Sequence, residues 1–252
     1  MSETEETQET QAEAVTINPL IEKYLKTGAH IGTRFKSGDM ARYIYKQRKD
    51  GLNVLNVQLI DERIKQVGAF LARYDPKKIA IVSRKIYGST PAIEFAKLTG
   101  AHAIVGRFVP GTFTNPQSQN FFQPEVVIIT EPESDIQAIK EATKVRAIVV
   151  ALASTNNSLR NIDLVVPVNN KGRKSLGLVF WLLAREFLKA KGEITNDEEF
   201  QKALEDFEHP QREAKEDQRG RGRREGEENR RTDGRDRDRY RERDRDRGYG
   251  RR

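Results

Sequence analysis

Cysteine is absent from all 252 residues, which excludes disulfides, thiolate catalysis and cysteine-ligated zinc. Histidine occurs only at His30, His102 and His209, and no two of these share helical or turn spacing, so a histidine metal cluster has no basis. The longest near-continuous apolar run, Leu176 to Ala184, is too short to span a bilayer. The first residues are acidic, the opposite of a secretory leader. No G-x-G-x-x-G follows the first strand-like run, and neither G-x-x-x-x-G-K-[ST] nor G-x-S-x-G occurs. The expectation is no catalytic residue, no cofactor, no metal, no membrane partner and no small-molecule substrate.

Aliphatic residues are also scarce at both ends. Residues 1–14 are acidic, rich in Thr and Gln, and unpatterned, and the chain after Glu208 is dominated by Arg, Asp and Gly. Such segments bury too little apolar surface to offset the entropy of ordering. The sequence therefore predicts a disordered acidic arm over 1–14, one α/β domain over 15–207 and a disordered tail over 208–252. Net charge is +7, unevenly spread: five Glu and no cation precede Ala14, while residues 219–252 hold 15 Arg against nine acids. The segment between is thus basic in its own right, which points to a polyanionic partner.

Within 15–207 the pattern is regular. Asn18-Pro19 opens a helix with a cap and a first-turn proline. Short aliphatic runs at 54–57, 79–82, 101–105, 126–129, 147–152 and 163–166 read as strands. Helical stripes separate most of them, one carrying Leu59, Ile60, Ile64, Val67, Phe70 and Leu71, another starting at Thr90-Pro91. Residues 176–188 form a helix apolar almost all round, and 195–206 suggest a last short one. Alternating strands and helices predict a three-layer α/β/α sandwich with a mainly parallel, flavodoxin- or Rossmann-like sheet that lacks the nucleotide fingerprint.

The positive features are cationic. Asn169-Asn170-Lys171-Gly172-Arg173-Lys174-Ser175 joins three cations and a glycine to a helix start, where free backbone N–H groups favour an anion. Arg34, Lys36, Arg42, Lys46, Arg48 and Lys49 crowd one segment with Tyr43 and Tyr45 among them. Cations neutralise phosphates and rings stack on bases. If residues 42–46 are extended, both tyrosines share a face; the alternative is a hairpin whose tyrosines pack on the core. Arg84 and Lys85 follow one strand and Arg107 another, so with Lys171, Arg173 and Lys174 they can line the carboxyl edge of the sheet. Glu131, Glu133 and Asp135 stand before a helix, where acids complement its N-terminus and a Mg²⁺ ligand set is the alternative. His30 reads as a packed or RNA-facing residue, and His102 as structural. An enzyme on the same sheet and an adaptor using Phe121 and Phe122 are the rival readings.

Six collinear blocks resemble ribosomal protein S2 in its archaeal and eukaryotic form. They are Ala29 to Thr33, Tyr43 to Gly51, Ser83 to Gly88, Gly106 to Pro116, Pro124 to Thr130 and Asn169 to Arg173. The chain departs from the family at Glu131-Pro132, where Asp-Pro is usual, and at Ser154-Thr155, where an Asp often precedes the Thr. The resemblance implies a cytoplasmic, ribosome-bound, non-enzymatic component of the small subunit. Its partners would be ribosomal RNA on the solvent side, near the head–body junction and the mRNA exit, and neighbouring ribosomal proteins.

Overall fold

The computed structural model describes residues 19–194, 200 and 202–210. The proposed Asn18 cap, the acidic arm, most of the tail and residues 195–199 lie outside these. One compact unit ends at His209, and Pro210 is the only described residue beyond it.

Five strands form one parallel sheet: β3 (Ile79–Ser83), β4 (His102–Val105), β5 (Val126–Ile129), β6 (Ile148–Ala153) and β7 (Leu164–Pro167), in the order β4-β3-β5-β6-β7. β3 and β5 are buried along their whole length, as expected of strands covered on both faces. Alternate residues feed two cores. Ile79, Ile81, Val126, Ile128, Val150 and Leu152 pack under α2 (Val57–Leu71), α3 (Ile86–Thr99) and α5 (Arg173–Lys191). Ala80, Val82, Val127, Ile129, Val149 and Ala151 face α4 (Ile136–Lys144). The expected three-layer α/β/α sandwich is therefore observed.

The first of the expected strands, 54–57, lies outside this sheet. β2 (Asn53–Leu55) pairs antiparallel with β1 (Ile44–Gln47) in a separate ribbon. The apolar run from Val54 to Val57 is cut by Asn56, whose side chain accepts the Gln58 N–H at 3.0 Å and starts α2. α3 also starts earlier than Thr90-Pro91 implies, at Ile86, and runs through a buried Pro91. Of the last expected helix, the described part is a single 3-10 turn at Leu204–Phe207. α1 (Pro19–Thr27) lies against α5, which Gly192 ends in the left-handed conformation at φ 78°.

The α4 face is completed by a loop rather than a second helix. Phe108 and Phe113 from residues 106–122 are buried there, 5.0 Å apart edge-on. Buried Glu141 holds this loop: its carboxylate accepts the N–H of Gly111 at 2.8 Å and of Phe113 at 3.2 Å, and an amide hydrogen of Gln137 at 2.8 Å. Glu141→Ala leaves those backbone donors without an acceptor. It is expected to lower the unfolding free energy by about 2–3 kcal/mol, measured in urea; an unchanged midpoint would show that the loop is held by its phenylalanines alone.

Candidate nucleic-acid interface

The segment Ala29–Leu55 is bonded to the carboxyl edge of the sheet. Its own strands of chain close on each other through Gly32 N–H to Asn53 O at 2.8 Å and Leu55 N–H to His30 O at 2.8 Å. The loop after β6 receives it: Thr33 N–H donates to Thr155 Oγ1 at 2.8 Å, Ser37 N–H to Thr155 O at 2.8 Å and Ser37 Oγ to Asn157 O at 2.7 Å. A Cβ on Gly32 would lie 2.4 Å from Thr155 Cγ2 and 2.8 Å from Asn53 O, so the close approach demands glycine. The loop after β7 joins the same assembly, because Asn169 N–H donates to Ala29 O at 2.9 Å. Buried Asn170 ties the two loops together, donating to Leu152 O at 2.9 Å and to Asn157 Oδ1 at 3.0 Å. The two cation-rich elements, 34–49 and 169–174, thus stand on one framework.

On it, Arg34, Lys36, Lys46 and Lys49 are exposed and have no ion-pair partner among the described residues. Arg48 is exposed and pairs with Asp50 at 3.4 Å. Arg42 lies over the Tyr43 ring, 5.1 Å from its centroid. The tyrosines do not share a face. Tyr43 sits in a 3-10 turn (Ala41–Tyr43) and is buried in the core, whereas Tyr45 on β1 is 68% exposed.

At the start of α5 the Gly172 cap offers no side chain to accept from the first-turn N–H groups, and exposed Lys171 and Lys174 flank this end of the helix. Arg173 turns away to the chain's last described segment, donating to His209 O at 2.8 Å and pairing with Glu208 at 3.2 Å. Phe207 is buried beneath that clasp, its carbonyl oxygen 3.1 Å from where a Cβ on Gly177 would lie.

Arg84 and Arg107, both exposed, line one open cavity of about 350 Å³ with Asp135 and Gln137. It lies beyond the ends of β3 and β4. With strands about 4.8 Å apart, it stands roughly 10–15 Å from the β6 end that carries the 33–37 segment. Between them is an acidic interruption at the β5 end. Glu131, almost fully buried, is bound by Lys85 at 2.5 Å and by the Ser134 hydroxyl. This is also where the strand order reverses, between β3 and β5, the point at which open parallel sheets hold nucleotides. Here the Lys85-paired Glu131 carboxylate stands at the crevice, and Gly88 lets α3 pack close on the end of β3, where a Cβ would meet Ser83 Oγ at 2.3 Å. No group of three or more His, Asp or Glu is gathered for a metal among the described residues.

Asp135 occupies the cap position of α4, yet its side chain makes no capping bond, and neither carboxyl oxygen accepts a well-formed hydrogen bond. Burial pushes its pKa up to about 6, helped by the Glu131 charge and opposed by Arg84 and by the neighbouring backbone. The folded state therefore holds this proton more tightly than the unfolded chain, whose ordinary value is 3.8. Its contribution is most favourable below about pH 4, declines as pH rises to about 6, and stays diminished at pH 7, by about 2–3 kcal/mol. Asp135→Asn is expected to flatten this part of the pH–stability curve. Urea midpoints at pH 4, 5, 6 and 7 check it, and an unaltered slope contradicts it.

Sequence inspection missed Phe35. It is 80% exposed, between exposed Arg34 and Lys36, with its carbonyl held by Thr33 Oγ1 at 2.9 Å. The available signal was an aromatic residue flanked by cations.

Fold and site together define an α/β scaffold that presents exposed cations and two exposed rings at the carboxyl edge of a parallel sheet. A family model, ribosomal protein S2, matches residues 118–190, from the loop before β5 through nearly all of α5. The match supports the S2 family as the kind of protein this chain is similar to, and it includes the 169–174 loop and the β6 loop that docks the 33–37 segment. No helix among the described residues is long and apolar enough to cross a membrane.

Proposed function

We propose that the chain is a small-subunit ribosomal protein of the S2 family, of the archaeal and eukaryotic form, without enzymatic activity. It works in the cytoplasm as part of the ribosome, binding ribosomal RNA through the sugar–phosphate chain and contacting neighbouring ribosomal proteins. The observation that carries this reading is the bond from Asn169 to Ala29, which unites the uncapped start of α5 with the 34–49 segment. Exposed cations spread over a rigid framework suit a folded polyanion better than a single small anion.

Within this reading Arg34, Lys36, Arg42, Lys46, Arg48, Lys49, Lys171 and Lys174 take phosphates, and Phe35 stacks. Arg84 and Arg107 form a second contact beyond the acidic interruption. Lys85 and Arg173 mainly neutralise Glu131 and Glu208. Arg173→Ala is thus expected to loosen the 204–209 segment, while Lys171→Ala with Lys174→Ala weakens RNA binding and leaves the fold intact.

The test is ultraviolet crosslinking of the intact protein inside cells, with identification of attached nucleotides and peptides. Adducts between small-subunit ribosomal RNA and peptides covering 34–49 and 169–174 are expected. Adducts confined to other transcripts, or to the opposite side of the domain, would overturn the reading.

A further inference from the structure

We infer that the hollow between α1 and the β1–β2 ribbon receives one unpaired RNA base, flipped out of its helix. This rests on the RNA reading above and adds the kind of RNA feature that the site selects. The hollow measures about 590 Å³, within the range of small-ligand sites. Ile21, Leu25 and Val54 supply apolar lining, and Leu25 remains 46% exposed. The hollow is also aromatic: Tyr45 stands 68% exposed, and His30 lies in the same lining.

The same lining carries polar groups that can read a base. Asn56 spends its side-chain oxygen on the Gln58 N–H at 3.0 Å, which leaves its amide hydrogens free to donate. The exposed Gln58 side chain adds a donor and an acceptor beside it. His30 Nδ1 lies 3.4 Å from Tyr24 O, so its other ring nitrogen is available. The rim is cationic, with Lys46 Nζ 5.7 Å from the centre of the Tyr45 ring and Arg48 next along the lining. An open, largely apolar hollow lined by an exposed ring, two side-chain amides and two cations offers partners for a base, its edge and its phosphate. An apolar protein side chain would use the apolar lining but would leave the amides unpaired and the cations unanswered.

The full chain is tested against two RNA hairpins of equal length and charge, one with a single bulged adenosine and one fully paired. The bulged hairpin is expected to bind about 10-fold tighter, in line with stacking of a base on an aromatic ring. Tyr45→Ala should abolish that preference and leave the paired hairpin within about 2-fold, while Tyr45→Phe should retain it. Equal binding of both hairpins by the native chain overturns the base site but leaves RNA binding itself standing. Loss of both hairpins to the same extent in Tyr45→Ala also overturns it. If neither hairpin binds, the RNA reading fails with it. Equal binding combined with protection of Leu25 and Tyr45 from hydroxyl radicals in assembled subunits assigns the hollow to a protein and contradicts the proposal.

Discussion

Replacing Arg34, Lys36, Lys46 and Lys49 together with alanine is expected to weaken binding to small-subunit ribosomal RNA by about 1,000- to 5,000-fold near 0.1 M salt. Each neutralised phosphate releases close to one counterion, which at that salt favours binding by somewhat less than tenfold per contact. The four side chains are exposed and make no ion pair among the described residues, so no salt bridge of the fold is lost with their charge. The thermal midpoint should stay within a few degrees of the parent. The plot of log affinity against log salt should lose about three to four units of slope. Filter binding at several salt concentrations reads both quantities. Undiminished affinity would move the interface to another face of the domain.

The second large effect concerns the scaffold. Gly68 lies where α2 crosses α5, and a Cβ there would sit 2.6 Å from Glu186 Cβ and 3.2 Å from the Glu186 carbonyl carbon. These atoms belong to the backbone and the root of a side chain, so the helices must separate to admit them. Separation would open the core around Phe95, Phe180 and Phe187, whose rings pack 6.0 and 6.2 Å apart. Gly68→Val is expected to cost about 3–5 kcal/mol, a fall of roughly 6–20 °C in Tm for a domain of this size. Gly38→Ala, where no atom lies within 4 Å of the new Cβ, serves as the neutral comparison. Equal Tm values for the two variants would mean that α5 is not clamped against α2.

Strands β3, β5 and β6 were legible because a strand buried on both faces has to be a continuous aliphatic run. β2 was assigned to the wrong sheet because three apolar residues carry no information about pairing partners, although Asn56 did mark where α2 begins. The Thr90-Pro91 start failed for a different reason. Pro91 stands sixth in the helix, past the first turn where proline is favoured, and takes one backbone N–H out of the ladder, so the usual reading of proline as a helix start misplaced the boundary, while Gly88 lets the first turn press against β3. In the site, the cations were visible but their partners were not. Lys85 meets Glu131 from 46 residues away, and Arg173 reaches the His209 carbonyl across 36. Long-range pairings of this kind depend on topology, as does the burial of Tyr43 only two residues from an exposed Tyr45. The docking role of Thr155 was hidden too, since a threonine in a polar loop has no sequence mark of a buried acceptor.

Equilibrium binding of the purified chain to small-subunit ribosomal RNA, followed from 50 to 400 mM monovalent salt, tests the central claim most directly. A steep linear fall of log affinity with log salt, with a slope of about −4 to −7, is the expected outcome for some six to eight phosphate contacts. Affinity that stays flat across the series, or no binding at 50 mM, would contradict a cationic edge built to hold the sugar–phosphate chain.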